Sequence, residues 1–361
     1  MLRILFTALL LLHGIIHLMG FLKAVGAANL PQLGMVSRRA GLFWLLAAVL
    51  FVAATVLYLM KHSSWIYLAL AAVIVSQTLI LFSWKEAKWG TIANMIVLPV
   101  VLLSFTSHQF EKKYRSDVRE QFRIRAASSV PLITEADLQH VPPPVQLYLR
   151  YCEVFGKPRI TNMRVVFEGQ MRGKDQDWFP FTAEQYSFFD GPVRLFFMKG
   201  RMKGVVVPGY HRYVGADASM NIRLFGLKDV VNLSGPELSK GETVTLFNDW
   251  CLMAPGTLID PRIRWEQLDQ NRAKATFTND SITVSAALYF NQKGQLLDFI
   301  SEDRYEVDRK QWFTFSTPVS EYRTFDGRKA ANYGEAVWHY PEGAFTYGRF
   351  CIKSIEYNVK K

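Results

Sequence analysis

Two histidines, His13 and His17, lie four residues apart in an apolar run, so a helix would carry both on one face with Gly14 between them. Imidazoles inside an apolar span point to a metal or haem site or to a proton relay; the structural alternative is hydrogen bonding to Ser76, Gln77 or Asn94 of other spans. Two histidines without further ligands underfill a metal site, so no metal and no cofactor are expected. A second polar set comprises His211, Asp249, Glu302 and Asp303. Glu302 and Asp303 are neighbours on a strand and point to opposite faces, which prevents them from acting as a pair. Asp249 falls on the polar side of a helix, where solvation or a surface arginine would satisfy it. Cys152, Cys251 and Cys351 are far apart and odd in number, which suggests neither a disulfide framework nor a zinc site, and Cys251 reads as a small buried hydrophobe. The chain has no nucleophile elbow, phosphate loop, His-Glu-x-x-His helix or dinucleotide fingerprint, so no catalytic residue is assigned and enzymatic activity is not the expectation.

The elements that must position these residues begin with four apolar runs, Leu2 to Leu22, Ala40 to Met60, Trp65 to Trp84 and Thr91 to Ser107, each read as a membrane span. Arg38, Arg39, Lys61, Lys85 and Lys88 flank them, and Trp65 and Trp84 bracket the third as interfacial aromatics. An even number of spans puts the N-terminus and the large C-terminal part on one side. Lys23, Arg38, Arg39, Lys85 and Lys88 occupy the first and third loops, against Arg3 and Lys61 in the N-terminal tail and second loop. This balance favours an extracytoplasmic C-terminal domain on an inner or plasma membrane, although the basic residues after the fourth span pull the other way.

The formal net charge of +11 invites a nucleic-acid reading, but its distribution excludes one. Residues 1–107 hold seven Lys/Arg and one acidic residue, and 108–125 hold six and three. The rest of the chain is nearly balanced, with 29 basic and 27 acidic residues. The excess therefore belongs to membrane loops and a juxtamembrane segment suited to anionic head groups.

His108 to about Arg125 reads as an amphipathic helix near the head groups, and Ala126 to Pro144 as a connector in which Thr134 and Asp137 could cap a short helix. Val145 to Val154 reads as one more short helix, with Leu147, Tyr148, Tyr151 and Cys152 available for packing. From Thr161 onward, period-two alternation and compact turns predict about a dozen strands in an antiparallel meander. Phe179 to Phe189 and Val193 to Lys199 are apolar on both faces, so both faces must be covered. One long helix interrupts the strands at Ser234 to Met253, with Ser234 and Glu237 spaced as a capping box and Pro236 in the first turn. Leu246, Phe247, Trp250 and Cys251 lie on its apolar face, and Glu242, Thr245, Asn248 and Asp249 on the other. The fold class that follows is a four-span α-helical transmembrane bundle plus a mainly antiparallel β domain, a curved sheet or half-barrel wrapped on one or two helices. The expected domains are 1–107, a juxtamembrane helix and connector at 108–159, and the β half-barrel at 160–361 with its helix at 235–253.

The runs HGIIHLMGFLKA, SWKEAKWGTIAN, VPPPVQLYLRYCEVFGKPRI, WFPFTAEQYSFFDGP and GPELSKGE resemble a family of bacterial membrane proteins known only as a domain of unknown function. The resemblance runs through most of the chain and brings no catalytic residues with it. The C-terminal part is also similar to the open β half-barrels of bacterial lipoprotein carriers, which implies a curved sheet that shelters acyl chains around enclosed helices.

Aromatic residues on strands and on the long helix supply the physical basis for a hydrophobic site: Phe181, Tyr186, Phe188, Phe197, Phe247, Trp250, Trp265 and Trp338. Burying acyl methylenes at roughly 0.8 kcal/mol each gives affinity without a polar motif. The expectation is a membrane-anchored binding module for a lipid or other hydrophobic ligand at the bacterial envelope, with membrane lipids as partners and no nucleic acid. The alternative is a structural or sensor partner of another membrane protein, and the aromatic set can equally fill a solid core.

Overall fold

The computed structural model describes residues 2–30, 34–125 and 130–360. The first four residues of the expected connector, 126–129, lie outside this range. The chain divides into two compact units, Met1–Phe110 with Phe225–Leu227, and Glu111–Leu224 with Lys228–Lys361.

Helices α1 (Leu2–Ala24), α2 (Arg38–Leu59), α3 (Trp65–Phe82) and α5 (Gly90–Ile124) are long and apolar enough to cross a membrane, and a single turn, α4 (Trp84–Ala87), joins the last two; the first unit holds α1 to α4 and α5 up to Phe110, and the rest of α5, from Glu111, belongs to the second unit. Their lengths follow from sustained apolar runs, and α2 starts where the Ser37 hydroxyl accepts the Ala40 amide at 3.1 Å. Small residues set the packing. A side chain at Gly14 would sit 2.9 Å from the Phe51 Cβ, and one at Gly20 would collide with the Trp44 ring. Leu10, Phe51, Ala54, Ala69, Ala72 and Val97 form the centre, while large apolar side chains such as Leu12, Ile74 and Leu81 face outward.

The second unit is one curled, antiparallel half-barrel sheet of fourteen strands. Strands β1 (Asn162–Met171), β2 (Phe179–Phe188), β3 (Val193–Met202), β4 (Val205–Val214), β5 (Asp217–Leu224) and β6 (Lys228–Ser234) form one meander. The other contains β7 (Ile263–Gln267), β8 (Arg272–Asn279), β9 (Ile282–Phe290), β10 (Leu296–Glu306), β11 (Gln311–Ser316), β12 (Val319–Phe325), β13 (Arg328–Tyr340) and β14 (Gly343–Tyr357). The β1–β14 ladder joins them, so β6 and β7 are the two outer edges and β12 is a branch paired with β13. Strands β11 and β12 are separated at Thr317 and Pro318, since proline cannot donate to a ladder. Strand β6 carries no clear alternation and was not expected.

Helix α7 (Pro236–Met253) carries the chain from edge strand β6 toward edge strand β7. Its start differs from the expected capping box. Ser234 ends β6 in register with Ser219, and the helix opens at Gly235, whose φ of +123° is open to glycine at little steric cost, with no side-chain cap. The Thr134 and Asp137 box does form, around a 3₁₀ turn at Glu135–Leu138, and α6 (Pro143–Tyr151) follows. Tyr148 and Cys152 are buried as expected, whereas Leu147 stays exposed.

The charged segment after the fourth span is no separate helix. It continues α5 to Ile124, and its apolar stripe is taken up by the outer face of the sheet. Tyr114 stacks on Phe197 at 5.3 Å, and Phe122 meets Phe188 edge-on at 5.1 Å and Tyr186 at 5.9 Å. This is how strands apolar on both faces are covered on the convex side. On the concave side, Phe247 stacks on Phe277 at 5.1 Å and Trp250 packs against Phe277 and Phe189. Asn279 ties the two meanders together by donating to the Tyr213 hydroxyl at 2.8 Å and to the Gly215 carbonyl at 2.6 Å.

Candidate functional site

The apolar face of α7 fills the concave side only in part. Its other face, with Gly241, Glu242, Thr245, Asn248 and Asp249, borders a cavity of about 760 Å³, within the size range of small-molecule sites. Alternation on the strands supplies the walls: Phe167 from β1, Phe196 and Met198 from β3, Met220 and Ile222 from β5, and Phe350 and Ile352 from β14. Trp338, Tyr347 and Phe315 close the opposite side.

A charged group lies in this wall. Arg194, on β3, is buried, and its Nε donates to Asp249 Oδ2 at 2.6 Å while Nη1 reaches Glu242 Oε2 at 3.4 Å. Gln185 donates from Nε2 to Asp249 Oδ2 at 2.8 Å. Burial pushes the Asp249 carboxyl above its ordinary value despite the opposing pull of Arg194 and Gln185. Burial alone would depress the Arg194 guanidinium, but Asp249 and Glu242 reverse this and hold it above its usual range. His211 Nδ1 stands 3.9 Å from Glu242 Oε1; burial takes its imidazole down to about 4, so it is neutral near pH 7 and forms no ion pair there.

The structure corrects the reading of Asp249 as solvated or met by a surface arginine: the polar face of α7 turns inward, to the buried Arg194 and a cavity. His211 and Asp249 do meet around Glu242. Glu302 is exposed, and Asp303 is engaged elsewhere, accepting the Ser285 amide at 2.8 Å and pairing with Lys240 at 2.8 Å.

The eight aromatic candidates separate into groups. Trp338 lines the large cavity. Tyr186, Phe188 and Phe197 face the convex side beneath α5. Phe247 and Trp250 belong to the packed core, Trp265 packs against that core and donates from Nε1 to the Leu258 carbonyl at 3.3 Å, and Phe181 borders a shallower depression. In the first unit, His13 and His17 are joined to neighbouring helices. His13 Nε2 donates to Asn94 Oδ1 at 3.0 Å, His17 Nδ1 donates to the His13 carbonyl at 2.7 Å, and His17 Nε2 accepts the Ser76 hydroxyl at 2.9 Å. Asn94 Nδ2 donates to Ser76 and to Gln77, each at 3.0 Å. These are the partners of the structural alternative. Among the described residues no three His, Cys, Asp or Glu side chains are grouped to hold a metal ion.

A family model described as a family of unknown function, DUF6544, matches residues 131–350. The chain belongs to that family. In this DUF6544 protein the matched segment carries α6, α7 and strands β1 to β13, the elements that build nearly all of the cavity, while α1 to α4 lie outside it. No curated protein sequence matches the chain. Among solved structures, it is similar to a putative outer membrane lipoprotein-sorting protein domain from Vibrio parahaemolyticus, at 10% identity over 55% of this chain and 86% of that one, with a TM-score of 0.35. It is also similar to a LolA superfamily protein from Nitrosomonas europaea, at 9% identity over 60% and 94%, TM-score 0.36. A third is a DUF1329 family protein from Desulfovibrio piger, at 13% identity over 61% and 94%, TM-score 0.36.

Sequence reasoning passed over Arg194, although a signal was present. Val193-Arg194-Leu195-Phe196-Phe197-Met198 is a strand that must be buried on both faces, and a lone charge there requires a partner. Glu242 and Asp249 are seven residues apart, two turns on one helix face, and together answer that requirement.

Proposed function

We propose that the β unit of this DUF6544 protein binds a lipid or other hydrophobic ligand at the bacterial cell envelope, and that the apolar helices anchor it in the membrane. The cavity carries the reading: about 760 Å³ enclosed by methionine, aliphatic and aromatic side chains beside a polar helix face suits an acyl chain better than a small polar metabolite. Trp338 contacts the ligand; Phe181, Tyr186, Phe188, Phe197, Phe247, Trp250 and Trp265 hold the shape of the sheet around it. Mass spectrometry of lipids extracted from the full-length protein, purified in a maltoside detergent, tests the proposal. The wild type should retain an acyl lipid, and Met220→Trp, which fills the cavity from β5, should lower its occupancy at least tenfold, or about 1.4 kcal/mol. A wild-type protein reproducibly free of lipid would overturn the reading.

The charges of the first and third loops support an extracytoplasmic position for the β unit, which would present the cavity to the periplasm or cell exterior. Protease added to intact spheroplasts should then digest the C-terminal unit. Digestion only after membrane lysis would reverse the orientation.

A further inference from the structure

We infer that the ligand of this cavity is an amphiphile with an anionic head, a carboxylate or a phosphate, seated against Arg304. The inference rests on the hydrophobic-ligand reading above and specifies the other end of the molecule. Arg304, on β10, is half-buried and lines the cavity. Its guanidinium carbon lies 3.9 Å from the ring centre of Phe315 and 5.3 Å from that of Trp338. Its stem passes α7 at Gly241, where a side chain would come to 4.0 Å from the Arg304 Cγ.

Other cations bordering the cavity have partners within the protein. Arg194 is held by Asp249 and Glu242, and Lys174 and Arg309 share Glu342. Arg172 donates to the Thr346 carbonyl at 3.0 Å and stacks on Trp178 and Phe345. Unlike these four, Arg304 has neither an ion pair nor a hydrogen bond to a backbone carbonyl among the described residues; beyond its two aromatic contacts its partner is the neutral Tyr347 side chain, which leaves its charge without a counter-ion. Glu242 does not fill that role: Arg194 already engages it, and its other oxygen faces His211.

A guanidinium lifted from water against aromatic rings loses hydration that an aromatic face restores only in part. Stacking also fixes its plane and leaves in-plane N–H groups directed away from the rings, the arrangement that takes a carboxylate or phosphate bidentately. An anionic head would therefore be recognised here while its chain runs along the methionine and aliphatic wall.

Equilibrium binding of radiolabelled oleate, oleoyl lysophosphatidate and oleyl alcohol to the detergent-solubilised full chain tests this. Arg304→Gln should weaken the two anionic probes at least tenfold and leave oleyl alcohol unchanged, and Arg304→Lys should restore part of the loss. Tighter binding of lysophosphatidate than of oleate would identify a lipid phosphate as the head; the reverse would identify a free fatty acid. Equal weakening of all three probes by Arg304→Gln, or of none, overturns the anionic-head inference while the hydrophobic site stands. If no probe binds the wild type, the hydrophobic-ligand reading falls and this inference with it. Should Arg304→Gln fail to fold, the Arg304→Lys protein and competition of oleyl alcohol against oleate on the wild type make the same comparison.

Discussion

Arg194→Met is expected to destabilise the β unit by about 3–5 kcal/mol near pH 7.5, the cost of leaving buried charge without its counter-ion. The methionine would fill much of the arginine's volume, so packing accounts for little of the loss. What remains is Asp249, which would keep Gln185 as a donor but lose the 2.6 Å bond from Arg194, and beside it Glu242. The Asp249 carboxyl already stands above its ordinary value because burial outweighs its partners, and removing Arg194 raises it further. A carboxyl whose folded pKa exceeds its unfolded value contributes stability that is complete below the unfolded value and lost as pH rises through the folded one. The deficit of the variant should therefore be largest at neutral pH and shrink as pH falls toward the unfolded aspartate value of about 3.9. Urea unfolding of the full-length protein in detergent, followed at pH 7.5, 6 and 4.5, measures it. The triple variant Arg194→Met, Asp249→Leu, Glu242→Gln should recover most of the loss, because it removes both unpaired carboxylates. A deficit constant with pH and not rescued by the triple change would mean that Arg194 acts through packing alone.

Much of the fold was readable from periodicity and turns. Apolar runs gave the four long helices, and Asn279-Asp280, Asn291 to Gly294 and Asp326-Gly327 marked hairpins where the ladders turn. Strand β1 alternates in burial from Asn162 to Phe167 as its sequence does. The cavity was less legible, for a physical reason. Amphipathicity says which face of a helix is polar, but not whether that face meets water or a buried counter-ion. In α7 a single distant arginine decides the matter, and the pairing of Arg194 with Glu242 and Asp249 spans 48 and 55 residues. The aromatic set was ambiguous in the same way. Tyr186, Phe188 and Phe197 alternate correctly for a buried face, yet the covering element is the far end of α5, which local sequence around β2 and β3 does not reveal. The His13 and His17 pair was better constrained, because few polar groups in the other spans were available to meet it.

Trp250→Ala should cost about 3–5 kcal/mol, the range for deleting a large aromatic side chain from a packed core. The indole is fully buried, with ring centres of Phe277 and Phe189 at 5.0 and 5.3 Å and the Arg262 guanidinium at 5.2 Å. Phe247→Ala should fall in the same range, since it removes the ring stacked on Phe277 and edge-on to Phe299. Trp250→Phe separates two contributions that the alanine variant combines. The Trp250 Nε1 is buried without a hydrogen-bond acceptor, so phenylalanine gives up contact area while also removing an unsatisfied donor. Its net cost should be below about 1.5 kcal/mol, the usual limit for a hydrophobic exchange of similar shape. A loss as large as that of alanine would show that the indole N–H is bonded in solution. Neither Trp250 nor Phe247 borders the cavity, so the Phe variant should keep its bound lipid at wild-type occupancy, whereas Trp338→Ala should lose lipid with a smaller change in stability. If Trp250→Phe emptied the protein of lipid while Trp338→Ala did not, the ligand would have to reside in the core beneath α7 and not in the cavity beside its polar face.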